Sequence, residues 1–169
     1  MVGAGTTVVL TYAAMFELSK INGLGGRVQG AAESRMTSST SAITQAKKGV
    51  VTIIEGGKPL QKELDFANEL AELGKNVTVR GSRAQGGDFL IDGQLWELKS
   101  LESGTIKAVR QNLKVAVGQA ECIFVDGRKA GLTMADAIQA VKEQHHAGRL
   151  KTTKQVVIYT TEGIFFWTP

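Results

Sequence analysis

The stretch Gly86–Lys99 limits what this chain can fold into more than any other. Asp92-Gly93 sits between two short runs rich in Leu, Ile, Phe and Trp. Asp-Gly between alternating apolar residues predicts a β-hairpin, because both central positions of a type I′ turn need φ > 0. A two-residue turn sets the register: Ile91 opposite Gln94, Leu90 opposite Leu95, Phe89 opposite Trp96, and Asp88 opposite Glu97. Side chains alternate across a strand. One face therefore carries Asp88, Leu90, Leu95, Glu97 and Lys99, and the other Phe89, Ile91, Trp96 and Leu98.

This register, which assumes no bulge, places two carboxylates with Cβ atoms roughly 4.5–5.5 Å apart, where like charges repel. The repulsion becomes useful if a divalent cation sits between them, since Mg²⁺ takes hard oxygen ligands. Lys99, two residues along the same face, is then placed to neutralise charge developing on a phosphate or to orient an attacking water. The ordinary alternative is a solvated ion-pair cluster on an exposed sheet face, worth little. Removing either acid is expected to relieve repulsion and leave stability nearly unchanged.

The 169 residues fit one domain with an extra N-terminal piece. Residues 1–50 are rich in Gly, Ser, Thr and Ala and read as a linker or accessory helical segment, with a moderately amphipathic helix over Thr7–Ile21 and a second of weak propensity over Ala31–Lys48. Residues 51–169 form the main domain. A net charge of +4 and a pI of about 9.3 are compatible with a polyanionic partner. Cys122 is the sole cysteine. It excludes a disulfide framework and a cysteine-based zinc site, and its apolar setting reads as core packing. No run is long and apolar enough to span a membrane. Glu17 and Lys20 interrupt the apolar N-terminal stretch, so no signal peptide is expected.

The remaining elements follow in order. Val50–Ile54 reads as a strand. Pro59 opens a helix whose apolar stripe includes Leu60, Leu64, Ala67 and Leu70, ended by Gly74. Glu63 shares that stripe, where a lone buried carboxylate is costly; a first-turn acid favoured by the helix dipole is the other reading. Glu69 and Glu72 read as outer, solubilising charges. Asn76–Arg80 is a strand, followed by a loop in which Arg80 and Arg83 either meet phosphates or are solvated. Ser103 is the expected N-cap of a helix over Thr105–Ala120. Beside its apolar stripe run Lys107, Arg110, Gln111 and Lys114, either a path for a nucleic-acid backbone or a solvent face. Cys122–Val125 reads as a strand covered on both faces. Thr133 caps a helix ending near His146, and two further strands close the chain. The sum is an α/β (α+β) fold, a mixed sheet flanked by helices.

Asp88, eight intervening residues and then Glu97-Leu98-Lys99 resemble the PD-(D/E)xK nuclease motif, with Gly87 where many members have proline. Glu63 matches the extra acid that many members carry on the preceding helix. The stretch from Glu63 to Trp167 resembles the C-terminal toxin domain of contact-dependent growth inhibition effectors, in particular the branch that cleaves tRNA. The residues that carry this likeness are Gly87–Gly93, Trp96–Ser100, the helix with Gln111 and Gln119, and Cys122–Asp126. The Val-Glu-Asn-Asn junction of such effectors is absent. The resemblance implies a restriction-endonuclease-like core in residues 51–169 and, in residues 1–50, a segment joining toxin to delivery filament. It also implies a divalent metal cofactor, Mg²⁺ first and Mn²⁺ or Zn²⁺ as alternatives, held by Asp88, Glu97 and Glu63. Export on a larger cell-surface effector, action in the cytoplasm of a neighbouring bacterium and a cognate immunity protein follow from it as well.

Three functions compete. One is a metal-dependent nuclease with Asp88, Glu97 and Glu63 as acids and Lys99 as electrophile, acting on tRNA or, alternatively, on DNA. Another is a metal-independent ribonuclease using His145 or His146 as acid or base. Adjacent residues on a helix point about 100° apart, so only one histidine could face a site. The third is a binding module without catalysis, which leaves the opposed acids without a purpose.

Overall fold

The computed structural model describes residues 8–10, 48–81 and 86–169. In chain order the elements are β1 (Val8–Leu10), β2 (Val51–Ile53), α1 (Gln61–Glu72), β3 (Val77–Val79), β4 (Phe89–Ile91), β5 (Gln94–Ser100), α2 (Ile106–Ala116), β6 (Cys122–Asp126), α3 (Met134–His146), β7 (Gln155–Tyr159) and β8 (Ile164–Trp167). Strands β2 to β8 make a mixed sheet to which β1 adds an eighth strand, in the order β1-β8-β7-β6-β5-β4-β3-β2. The pairs β2–β3, β5–β6 and β6–β7 are parallel and the others antiparallel. The mixed sheet with helices is the fold class expected from the sequence.

The helix expected over Thr7–Ile21 is corrected at its start. Val8–Leu10 is an edge strand, antiparallel to β8. Two β-branched residues and a leucine fit a pleated surface better than a short helix. Residues 11–21 and 31–47 of the two expected N-terminal helices lie outside the described residues.

The hairpin forms in the expected register, with Phe89↔Trp96, Leu90↔Leu95 and Ile91↔Gln94 paired. Asp92 and Gly93 have φ of 51° and 77°, as a type I′ turn requires. Strand alternation then sorts the core into two layers. Phe89, Ile91, Trp96 and Leu98 lie on the face covered by α1, through Phe66, Ala67 and Leu70. The other face packs Ile123, Val125, Val156 and Ile158 against Val109 and Leu113 of α2 and Ala137, Ala140 and Val141 of α3. With both faces covered, Cys122–Val125 is buried throughout, which is why it reads as a continuous apolar run. Trp96 stacks on Phe124 with centroids 4.2 Å apart, and Phe66 meets Phe124 and Tyr159 edge-on at 5.1 Å. Such pairs add about 0.5–1.5 kcal/mol each beyond area burial. They fasten α1 across β5, β6 and β7.

Helix α2 starts later and ends earlier than its periodicity suggests. The N-cap is Thr105, whose hydroxyl accepts from the Ala108 N–H at 3.3 Å; Ser103 instead donates its hydroxyl to Thr105 Oγ1 at 3.5 Å. The C-cap is Val117, next to Gly118. Thr105→Ala is expected to cost about 1 kcal/mol of stability. Ser103→Ala should leave the denaturation midpoint within error, and the reverse order would restore Ser103 as the cap. At α3, Thr133 caps as expected, accepting from the Asp136 N–H at 3.1 Å.

Candidate active site

The site is built where β4 and β5 part. In an antiparallel ladder alternate pairs exchange both main-chain hydrogen bonds. The pair after Phe89↔Trp96 to do so would be Gly87 and Leu98. Leu98 N–H donates instead to Asp88 Oδ2, at 2.9 Å. The ladder ends at Phe89↔Trp96, so the expected pairing of Asp88 opposite Glu97 does not continue into the strand. The short carboxylate of Asp88 has turned onto the main chain of β5. On its other side Asp88 stays tied to β3, since its carbonyl accepts from Arg80 N–H at 2.8 Å.

Gly87 makes the parting sterically feasible. Its φ is +80°, and a Cβ there would lie 2.8 Å from the Trp96 carbonyl oxygen. Both the left-handed backbone and the close approach require glycine. Gly87→Ala should therefore destabilise by more than about 1 kcal/mol. Gly93→Ala, with φ +77° but open space around it, isolates the backbone contribution. Equal losses in the two variants would show that the contact with Trp96 contributes nothing.

Three buried carboxylates lie near enough here for their charges to interact. Glu63, Asp88 and Glu97 are 3%, 9% and 5% exposed. Glu63 stands in the first turn of α1 and accepts from Leu60 N–H at 3.0 Å. Both readings of Glu63 thus hold together: it caps the helix and it is buried. Glu97 Oε1 takes the Lys99 ammonium at 2.5 Å. The second oxygen of each acid has no partner among the described residues. Burial pushes the Glu63 carboxyl above its usual range, the Leu60 N–H opposes that, and the Asp88 charge adds to the rise. Burial raises Glu97 as well; the Lys99 bond offsets part of it, while Asp88 and Glu63 push it further up. The Asp88 charge thus makes both glutamates harder to ionise, and Glu63 adds to the rise at Glu97, the condition a bound cation would relieve. Among the described residues no three His, Cys, Asp or Glu side chains form a ready metal cage.

The expected basic residues are placed elsewhere. Arg80 turns inward, and its Nη1 donates to the carbonyl of Gly86 and, at 3.4 Å, to that of Gly87. Arg83 lies outside the described residues. Lys107, Arg110, Gln111 and Lys114 of α2 line a shallow depression of about 390 Å³. Arg149, just beyond α3, completes its lining. Arg110 also pairs with Glu143 of α3 at 2.9 Å. Among the described residues, no hydrogen bond or ion pair joins Lys107, Arg110, Gln111, Lys114 or Arg149 to Glu63, Asp88 or Glu97. Arg149 escaped the sequence reading because a single arginine after a terminating glycine carries no periodic signal.

His145 and His146 stand apart from the acids. The His145 ring lies 5.5 Å from Trp167 of β8, three strands from β5. A second charged group was also missed. Arg128 binds Asp126 through Nε at 2.9 Å and Nη2 at 2.7 Å, reaches Glu69 of α1 at 2.8 Å, and lies 5.0 Å from the Tyr159 ring centre. Burial pushes Asp126 up, but the Arg128 bonds outweigh it and hold the carboxyl below the usual range. Glu69 is therefore a tie between α1 and the end of β6, beyond a solubilising charge.

Residues 86–165 match the family model of the contact-dependent growth inhibition CdiA C-terminal domain. The match spans the hairpin acids, Lys99, α2, β6 and α3, just under half of the chain. Over those residues the chain is similar to the CdiA C-terminal domain, the coarser part of the resemblance read from the sequence. A solved structure, the CdiA-CT/CdiI toxin and immunity complex from Burkholderia pseudomallei, aligns with 70% of this chain and 99% of its own, at 19% identity and a TM-score of 0.48. No curated protein matches. Among the described residues no helix is long and apolar enough to cross a membrane.

Proposed function

We propose that this chain is a metal-dependent nuclease toxin that cleaves tRNA. In this reading it is delivered into neighbouring bacteria as the C-terminal part of a larger cell-surface effector and neutralised in the producer by a cognate immunity protein. The delivery and the immunity partner rest on the CdiA C-terminal match. The chemistry rests on one observation: three buried, mutually repelling carboxylates gathered where two strands separate, with the Lys99 ammonium on one of them. Asp88 and Glu97-Leu98-Lys99 on β4 and β5, with Glu63 on α1, supply the acids and lysine of a PD-(D/E)xK-like core.

The residues fit a divalent cation in donor chemistry. Mg²⁺ usually binds through one or two carboxylates plus waters and substrate phosphates, so a complete protein cage is not required. Asp88, Glu97 and Glu63 each have an oxygen to offer. The cation, when bound, supplies Lewis-acid polarisation of the scissile phosphate. Lys99 orients Glu97 and presents its ammonium to charge developing on the phosphate. The main-chain bonds from Leu98 and Leu60 hold two of the acids without any help from substrate.

The test is incubation with total tRNA and with plasmid DNA, each with and without EDTA. Cleavage of tRNA that chelation abolishes is expected. Cleavage of plasmid alone would move the assignment to a DNase, and cleavage indifferent to EDTA would remove the metal. A histidine ribonuclease predicts loss of activity in His145→Ala or His146→Ala; their distance from the acids in strand order predicts none.

The depression on α2 makes a separate prediction about substrate contact. Neutralising Lys107 and Lys114 should raise KM and leave the turnover rate nearly unchanged, since uniform binding is lost. Each lost phosphate contact should flatten the slope of log affinity against log salt by roughly 0.7–0.9. An unchanged slope would make the stripe a solvent face.

A further inference from the structure

We propose that Arg80 is the positioning residue for Asp88: its guanidinium occupies the Gly86 and Gly87 carbonyls, and so leaves the Leu98 N–H to the Asp88 carboxylate. The inference deepens the nuclease reading, on which its kinetic part rests; its structural part does not depend on that reading.

One exchange of hydrogen-bond partners sets the geometry. Continuing the β4–β5 ladder by its own alternation would give Leu98 N–H to the Gly87 carbonyl. That carbonyl faces Arg80 Nη1, as does the carbonyl of Gly86. Successive positive φ values, +78° at Gly86 and +80° at Gly87, turn the chain so that one guanidinium reaches both. Arg80 also holds Asp88 through the main chain, its N–H donating to the Asp88 carbonyl at 2.8 Å. One residue on β3's end thus fixes the backbone of Asp88 and diverts the two carbonyls before it. The Leu98 N–H is then satisfied only by the side chain, at 2.9 Å from Oδ2. Leu98 is 4% exposed, so water is a poor substitute. Without the guanidinium the Gly87 carbonyl is unengaged, the ladder can close by one more pair, and the Asp88 carboxylate loses the bond that orients it.

Arginine suits the task because its planar fork offers several fixed donors, whereas a lysine presents a single point charge. The role differs from the phosphate contact expected of Arg80 from sequence, and the two differ in measurable ways.

The test uses Arg80→Met and Arg80→Lys in the full chain, with two readouts. The first is the scalar coupling across the Leu98 hydrogen bond in labelled protein. Wild type should couple Leu98 ¹⁵N to the Asp88 carboxyl carbon; Arg80→Met should couple it to the Gly87 carbonyl carbon. The second is kinetic. Arg80→Met should lower the rate at saturating tRNA by about 10–100-fold, the usual loss when an outer partner of a ligand is removed, with KM within a factor of two. Arg80→Lys should fall between, and it carries both readouts if Arg80→Met does not fold. A coupling that stays on Asp88 in the variants overturns the inference whatever the protein cleaves. A raised KM, unchanged turnover and a salt slope smaller by roughly 0.7–0.9 would make Arg80 a phosphate contact instead. If wild type cleaves nothing but the coupling moves, the positioning role stands and the nuclease reading fails alone.

Discussion

Asp88→Asn and Glu97→Gln should each reduce cleavage by about a thousandfold or more, the scale of losing a preorganised electrostatic group at the reacting centre, while both proteins remain folded. The carboxamides are the right substitutions. Asparagine keeps an acceptor for Leu98 N–H, and glutamine keeps one for the Lys99 ammonium, so each variant removes charge with little else. Asp88→Ala is expected to behave differently from the expectation of relieved repulsion. It leaves a buried main-chain N–H without a partner, at a cost of about 1–3 kcal/mol. Lys99→Ala should also inactivate but retain cation affinity by calorimetry. Lys99→Arg should not restore full activity, because a planar fork does not replace a compact ammonium. Near wild-type cleavage by either carboxamide variant would remove that acid from the site.

Much of this was readable from local signals. Asp92-Gly93 dictated a turn that only left-handed backbone makes, and from it followed the register, the two faces and the neighbourhood of Asp88, Glu97 and Lys99. The capping threonine and acid at Thr133 and Asp136 set the start of α3 in the same way. What the sequence left hidden is held by contacts between distant elements. The ladder ends at Phe89 because Arg80, seven residues before Gly87, takes the Gly87 carbonyl that would have extended it. Alternation predicts a continuing strand and has no means of seeing that competitor. Arg128 reads as a loop arginine, yet it joins Asp126, Glu69 and Tyr159 from three separate elements. The order of strands across the sheet, which separates His145 from the acids, is likewise a property of the whole chain.

Adding Mg²⁺ should raise the thermal midpoint, and by more at pH 8 than at pH 5. Glu63 and Glu97 are both raised above the ordinary carboxylate value of 4.5, first by burial and then by neighbouring acids. The folded protein therefore binds more protons than the unfolded chain from about that value upward, and stability falls as pH rises through the interval to the raised values. A cation binding only the folded state reverses this loss. At a hundred times its Kd it contributes about 2.7 kcal/mol, a rise of roughly 5–10 °C for a chain of this size. At pH 5 protons compete for the same oxygens and the rise shrinks. Glu63→Gln supplies the internal check. Its carboxamide oxygen still accepts from Leu60 N–H, while the charge that repels Asp88 and Glu97 is gone. Without cation this variant should melt above wild type at pH 8, and the advantage should vanish in acid, where wild-type Glu63 is itself protonated. Differential scanning calorimetry across pH 4.5–8, with and without Mg²⁺, measures both effects. A Glu63→Gln midpoint below wild type at pH 8 would mean that its carboxylate is stabilised in the fold by more than the Leu60 N–H, and a cation-independent midpoint for wild type would remove the metal from these three acids.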